Sequence, residues 1–192
     1  MERLKFFEIP GRVLHIDGDQ EYLEKCLHAY LQLNVEATGY WVSEEDQPEK
    51  VVELLEKNPA DILILTGHDG FLKRKSDFSN LDNYRTSRYF VEAVKKIRRI
   101  IPSKDTLVIF AGACQSHYEA ILKAGANFAS SPMRALIHAL DPVFVAEKVA
   151  HTPISEIIPL EELTADTITG AKGIGGIETK GRLRMAYPQS PY

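Results

Sequence analysis

Short apolar runs alternate with amphipathic stretches along the first three quarters of the chain. Five runs have the length and character of buried strands, at residues 12–17, 36–42, 61–67, 106–113 and 126–131. Apolar residues recur at helical spacing in residues 19–34, 48–58, 88–100, 116–125 and 133–149, the last with a break at Pro142. This repeated order predicts an α/β fold, a three-layer sandwich around a mostly parallel, doubly wound sheet.

The alternation fades from about residue 151 onward. We therefore assign residues 1–150 to one α/β domain, and residues 151–192 to a carboxyl-terminal extension that packs on, or completes, the same domain. Within the extension, residues 170–187 are rich in glycine and basic side chains. Their composition is compatible with a flexible arm, a loop or an edge strand.

Composition narrows the class of protein. The 192 residues are 44% hydrophobic and 26% charged, which is ordinary for a globular domain, and a net charge of −4 gives no reason to expect nucleic acid. The apolar runs are too short to span a membrane. Two cysteines, Cys26 and Cys114, make a poor disulfide framework and favour a reducing, intracellular setting.

Ligands of doubly wound sheets bind beyond the carboxyl ends of the strands. The polar residues that follow strand ends here are Asp17, Asp19, His68, Asp69, Cys114, Ser130 and Ser131. A long polar connection, residues 67–87, also begins at this edge, and connections of that length are often functional.

Cys114 and His68 have the arrangement expected of a thiol nucleophile and its base, because they follow the fourth and third strands. If those strands are neighbours, the two side chains stand at the same edge of the sheet. Glycines beside both residues permit tight turns, and the start of the next helix favours a thiolate and an oxyanion. The histidine precedes the cysteine by a spacing close to the roughly 50 residues of caspases.

Other interpretations compete with this pairing. Cys114 is also compatible with packing in the core, and His68 with capping of the following loop. His117 is close to the thiol in sequence but ranks below His68 as the base, while His138 is expected to satisfy a local hydrogen bond. A zinc site made by Cys114, His68 and His117 would lack a second close-spaced pair of ligands, so no metal is predicted.

Three aspartates are candidates for the active edge. Asp19 stands just before a predicted helix, where an N-cap role is expected, and Asp17 directly ends the first strand. Asp141 precedes Pro142, where a turn is the alternative. Any of the three carboxylates is suited to bind a basic side chain bidentately.

Several segments of the chain resemble one known family. They read GRVLHIDGDQEYLEKCL, DILILTGHDGF, VIFAGACQSHYEAILKAGANFASSP, IHALDPVFVAEKV and GIGGIETKGRLR, and together they cover residues 11–184. They are similar to the YabG family, the sporulation-specific proteases of spore-forming Firmicutes. The resemblance implies a cysteine endopeptidase without a cofactor that cleaves after arginine and also processes itself. It further implies substrates among spore coat and cortex-associated proteins, and a location in the mother-cell cytoplasm at the developing coat.

The resemblance also implies roles for individual residues. The family's nucleophile corresponds to Cys114 and its histidine to His68, and the layout resembles the wider caspase-like group. That group commonly has glycine after the histidine as an oxyanion donor, where this chain has Asp69, so we assign the oxyanion site to the backbone N–H groups of Asp69 and Cys114. The arginine pocket is assigned to Asp17 first and Asp19 second, since the loop after the first strand commonly contributes to it, with Asp141 in reserve.

Two further points follow from the resemblance. Arg182 and Arg184 are candidates for self-processing, and the family's usual proteins carry an additional amino-terminal region.

The competing functions are a receiver-type phosphoacceptor domain and a non-catalytic scaffold of a spore protein. A receiver needs an aspartate at the end of the third strand, where this chain has Thr66, which counts against that alternative.

Overall fold

The computed structural model describes residues 5–72, 74 and 76–192. Lys73 and Lys75, in the long polar connection, lie outside the described residues. The strands are β1 (Phe7–Ile9), β2 (Val13–Asp17), β3 (Ala37–Trp41), β4 (Ile62–Thr66), β5 (Val108–Ala111), β6 (Phe128–Ser130), β7 (Ile174–Gly176) and β8 (Arg184–Ala186). The α-helices are α1 (Gln20–Gln32), α2 (Gln47–Lys57), α3 (Ser87–Ile100), α4 (Tyr118–Ala124), α5 (Asp141–His151) and α6 (Leu160–Ala165).

The main sheet confirms the predicted fold. Its six strands lie in the order β3-β2-β4-β5-β6-β7, and the first five are parallel while β7 pairs antiparallel with β6. The third and fourth predicted strands, now β4 and β5, are neighbours, as the pairing of histidine and cysteine requires. Strands β1 and β8 form a separate antiparallel pair. The architecture is that of a caspase-like α/β sandwich.

Helices cover both faces of this sheet, and strand alternation divides the core accordingly. In β4, Leu63 and Leu65 face the side covered by α2, α3 and α4, whereas Ile62 and Ile64 face the side covered by α1, α5 and α6. Successive residues of a strand point to opposite faces, so a strand covered on both sides is apolar at every position. This is why the central strands were recognisable as continuous apolar runs.

One predicted helix is wrong in its amino-terminal half. Residues 133–149 were expected to be helical, but α5 begins only at Asp141 and the preceding residues form an irregular loop, residues 131–140. Pro142 lies in the first turn of α5. A proline lacks an N–H and has a fixed φ, so it is suited to begin a helix rather than to interrupt one.

The carboxyl-terminal extension contributes to the same sheet. Its residues 174–176 form the edge strand β7, so of the three alternatives for this stretch the edge strand is observed. Arg182 has a side chain only 10% exposed, within 3.6 Å of Asp61, and Arg184 lies in β8. Within the described residues, no helix has both the length and the apolar character needed to cross a membrane.

Candidate active site

A cleft opens where the parallel strands end, and it brings together three of the predicted residues. Asp17 is the last residue of β2, while His68 and Cys114 lie in the turns that follow β4 and β5. All three line one cleft of about 120 Å³. The three residues therefore line one cleft at the carboxyl edge of the sheet, where ligands of such folds bind.

Cys114 is presented on a tight turn and is partly exposed rather than sealed in the core. Gly112 opens the turn with φ of +113°, and a Cβ atom there would lie 2.6 Å from the Oγ atom of Ser130. Both the backbone angle and the close approach therefore require glycine. The N–H of Ile137 donates to the cysteine sulfur at 3.3 Å, and a donor aimed at sulfur is suited to stabilise a thiolate.

His68 is held by Asp19. The Nε2 atom of His68 donates to Oδ2 of Asp19 at 2.7 Å, and Oδ1 of Asp19 accepts the N–H of Tyr22 at 2.9 Å. The predicted N-cap role of Asp19 is thereby confirmed, and the cap fixes the histidine to the start of α1. The hydrogen bonds from Tyr22 and then from His68 lower the pKa of Asp19. With Nε2 engaged by Asp19, Nδ1 is the ring nitrogen available to a reacting group, while the thiol of Cys114 lies 3.7 Å from the carbonyl oxygen of Ile137.

Two backbone amides stand beside the thiol and the imidazole. Within the described part of the chain, the N–H groups of Asp69 and Cys114 donate to no protein acceptor. Free amides at a strand edge are what an oxyanion site requires, and these are the two donors assigned to it from the sequence.

Asp17 is an almost buried carboxylate in the wall of the cleft, with 4% of its surface exposed. Its Oδ2 atom accepts the hydroxyl of Thr66 at 2.7 Å and lies 3.4 Å from Nε2 of His15, and its Oδ1 atom accepts the N–H of Asp19 at 2.8 Å. Burial alone would raise the pKa of Asp17, but the hydrogen bond and charge of His15 and the hydrogen bond of Thr66 lower it overall. The carboxylate is therefore kept ionised in a residue that lines the same cleft as Cys114.

His15 is a further polar residue of the site, and the sequence motifs did not single it out. It is fully buried, and its ring contacts Thr66 through Nε2 and the hydroxyl of Tyr30 through Nδ1. The signal was a histidine within an apolar strand, two positions before Asp17 and so on the same face of the sheet. A polar residue in such a run is expected to have a specific partner.

Asp141 has a different environment from the other two acids. It is fully buried, and its oxygens accept the N–H groups of His138 at 2.9 Å and of Ile168 at 2.7 Å, together with the hydroxyl of Thr169. Its carboxylate is not among the described groups that line the cleft. Its contacts instead anchor the loop that carries Ile137, the residue whose N–H meets the cysteine sulfur.

The remaining histidines contact other groups. His117 is mostly buried, and its Nε2 atom lies 2.9 Å from the carbonyl oxygen of Ser79 in the long polar connection. His138 accepts the N–H of Leu140 through Nδ1 at 3.1 Å, which is the local hydrogen bond expected of it, while it also lines the cleft. Over residues 5–72, 74 and 76–192, no three His, Cys, Asp or Glu side chains are grouped as metal ligands.

Comparison with known proteins identifies the family. The family model described as YabG peptidase U57 matches residues 1–188. The chain is also 49% identical over 183 residues to the sporulation-specific protease YabG of Bacillus subtilis (strain 168). That match covers 95% of this chain and 63% of the relative, so the chain spans less than two thirds of the relative's length. The chain belongs to the YabG peptidase U57 family.

Proposed function

We propose that this chain is a cysteine endopeptidase in which Cys114 is the nucleophile and His68 the general base and acid. The observation that carries the proposal is the common cleft, which Cys114, His68 and Asp17 all line. The family adds peptidase activity, and the cleft supplies the groups with which a thiol would perform it. The reaction draws on no cofactor.

The reaction begins when the sulfur of Cys114 attacks the carbonyl carbon of the scissile peptide bond and its proton passes to His68. The carbonyl oxygen becomes an oxyanion, which accepts hydrogen bonds from the N–H groups of Asp69 and Cys114. His68 then gives its proton to the leaving amine, and a thioester remains on the enzyme. A water molecule, deprotonated by His68, hydrolyses the thioester and restores the thiol.

Asp19 acts through His68 in this scheme. Its hydrogen bond of 2.7 Å to Nε2 fixes the tautomer that has Nδ1 free to accept the thiol proton, and its negative charge stabilises the imidazolium formed after transfer. Asp19 thus has a positioning role, and it is less suited than Asp17 to bind the substrate.

Asp17 is the group that we assign to recognition of arginine before the scissile bond. It is ionised, nearly buried and in the wall of the cleft, so a guanidinium entering there would meet its counter-charge away from bulk water. Asp141 has a less suitable position, because it is fully buried and is not among the described residues that line the cleft.

The substrates that we propose are proteins of the spore coat and cortex, processed in the mother cell of a sporulating bacterium. The support is the similarity to the Bacillus subtilis relative, a sporulation-specific protease. Self-processing after Arg184 is part of the same proposal, and it would require release of β8 from β1, because Arg184 pairs with Ile9 in that antiparallel strand pair.

The test is incubation of the purified chain with a peptide library, with and without a thiol-alkylating reagent. We expect cleavage after arginine that is abolished by alkylation. Cleavage that survives alkylation would exclude a cysteine nucleophile, and the absence of any cleavage by the chain would favour the scaffold alternative.

A further inference from the structure

The side chain of Asp69 makes contacts that the proposed mechanism does not use. Its Oδ1 atom accepts the N–H groups of Gly70 at 2.8 Å and of Thr86 at 2.9 Å. Its Oδ2 atom accepts the hydroxyl of Ser116 at 2.7 Å and that of Ser87. Four donors thus converge on one half-buried carboxylate. They come from three separate segments: the turn after β4, the start of α3 and the turn after β5.

The two serines extend these contacts to both sides of the nucleophile. The Oγ atom of Ser116 also accepts the N–H of Ala113 at 2.9 Å, and that of Ser87 accepts the N–H of His117 at 2.8 Å. Both serines are fully buried, so water does not compete for these bonds. The carboxylate of Asp69 therefore reaches, through one hydroxyl each, the residue before Cys114 and the third residue after it.

We propose that the Asp69 side chain is a positioning residue that sets the geometry between the histidine turn and the cysteine turn. This rests on the proposed function, since it concerns how the reacting groups are held. Asp69 is bonded directly to His68, and its own N–H is one of the two proposed oxyanion donors. A shift of its carboxylate therefore changes the distance from His68 to Cys114 and the distance between the two oxyanion amides together.

A carboxylate is suited to this task in a way that a neutral side chain is not. All four of its contacts are donors, and an ionised carboxylate is an acceptor at both oxygens. Asparagine keeps one acceptor oxygen but places an NH₂ group toward the other pair of donors. In Asp69→Asn we therefore expect one pair of contacts to remain and the other pair to be disturbed. Rotation of the buried serine hydroxyls can relieve part of this disturbance, because a hydroxyl can accept as well as donate a hydrogen bond.

The experiment compares Asp69→Asn and Asp69→Ala with Asp77→Asn. Asp77 is a matched control, because it is an exposed aspartate of the same connection whose carboxylate accepts the N–H of Ser79 at 2.9 Å. Cleavage of an arginyl peptide should show a kcat lowered by about tenfold or more for Asp69→Asn with KM within about twofold, as misplacement of reacting groups by ~1 Å is costly. Asp77→Asn should cleave like the parent. A kcat within twofold of the parent for both Asp69 variants overturns the proposal.

A second readout is independent of peptidase activity. The rate at which a small haloacetamide alkylates Cys114, followed by mass spectrometry of the cysteine peptide, should change at least about threefold in Asp69→Ala and stay constant in Asp77→Asn. If the parent cleaves no peptide, the proposed function fails, and this rate alone decides the positioning role. An unchanged rate in a folded Asp69→Ala variant overturns it.

Coupling with Ser116 separates positioning from general stability. Ser116→Ala removes the hydroxyl through which Asp69 reaches Ala113, so the double variant with Asp69→Asn should lose about as much kcat as the more affected single variant. Multiplicative losses would mean that the two residues act separately, and they would overturn the proposal. Thermal unfolding of each variant checks that the folded fraction is the same in every assay.

Discussion

The replacement Asp17→Asn tests the arginine pocket most sharply, because it removes the charge and retains the shape. With 4% of Asp17 exposed, a guanidinium bound to it would be held largely out of water. A hydrogen bond to a charged group contributes about 1.5–3 kcal/mol. At about 1.4 kcal/mol for each factor of ten, kcat/KM for an arginyl peptide should fall roughly 10- to 150-fold.

The assay uses two peptides that differ only at the residue before the scissile bond, arginine in one and its neutral isostere citrulline in the other. The parent should prefer the arginyl peptide by the factor given above, while Asp17→Asn should cleave the two at similar rates. Asp61→Asn is the control, since Asp61 lies just before β4, at the opposite edge of the sheet from the cleft. If Asp17→Asn keeps the arginine preference of the parent within twofold, the pocket assignment is refuted.

Further predictions concern Gly112 at the end of β5, the reactivity of the two cysteines, and the stability of the fold in acid. Gly112→Ala should lower the free energy of unfolding by about 1–3 kcal/mol in denaturant titrations and should reduce activity. Gly170→Ala is the control, because Gly170 also has a positive φ, of +73°, but nothing lies within 4 Å of the new Cβ atom. This variant should therefore show the cost of backbone strain alone. Burial raises the pKa of Cys26 to about 12. Brief alkylation of the folded chain at about pH 8, followed by peptide mapping, should therefore find Cys114 modified and Cys26 intact. Equal labelling of the two cysteines would contradict the fold. Folding lowers the pKa of Asp17, so the Asp17 carboxylate binds a proton less readily in the folded chain than in the unfolded chain, where the pKa of an aspartate is about 3.9. Its contribution to stability is present above that value and is lost as the pH falls through the folded pKa, so unfolding free energies of Asp17→Asn should decline less steeply between about pH 5 and pH 2 than those of the parent.

The central sheet was predictable because its physical signal is local. Strands buried on both faces are apolar at nearly every position, and β4 and β5 are short runs of this kind, interrupted only by Thr66 at the end of β4. β2 follows the same pattern except at His15 and Asp17. The position of Cys114 and His68 at one edge then followed from the rule for parallel strands. The N-cap role of Asp19 was predictable for the same reason, as the cap and the helix it begins are adjacent in sequence.

The features that were missed depend on contacts between distant residues. The loop at residues 131–140 has apolar residues at helical spacing, yet the chain is held away from a helix by contacts such as that of Gln115 with the carbonyl of Ala135. β7 is three residues long and glycine-rich, so its place beside β6 is set by pairing rather than by its own propensity. The contacts of Asp69 with Ser116 join residues 47 positions apart, and no local pattern indicates them.

The central claim is that Cys114 attacks a substrate held by its arginine, and one labelling measurement addresses it directly. The chain is treated with an arginyl acyloxymethyl ketone, which alkylates an active-site nucleophile after the arginine has bound, and the modified residue is located by peptide-mapping mass spectrometry. We predict a single adduct on Cys114, formed at least about tenfold faster than with the citrulline analogue. An adduct on another residue, or equal rates with the two reagents, would contradict the account.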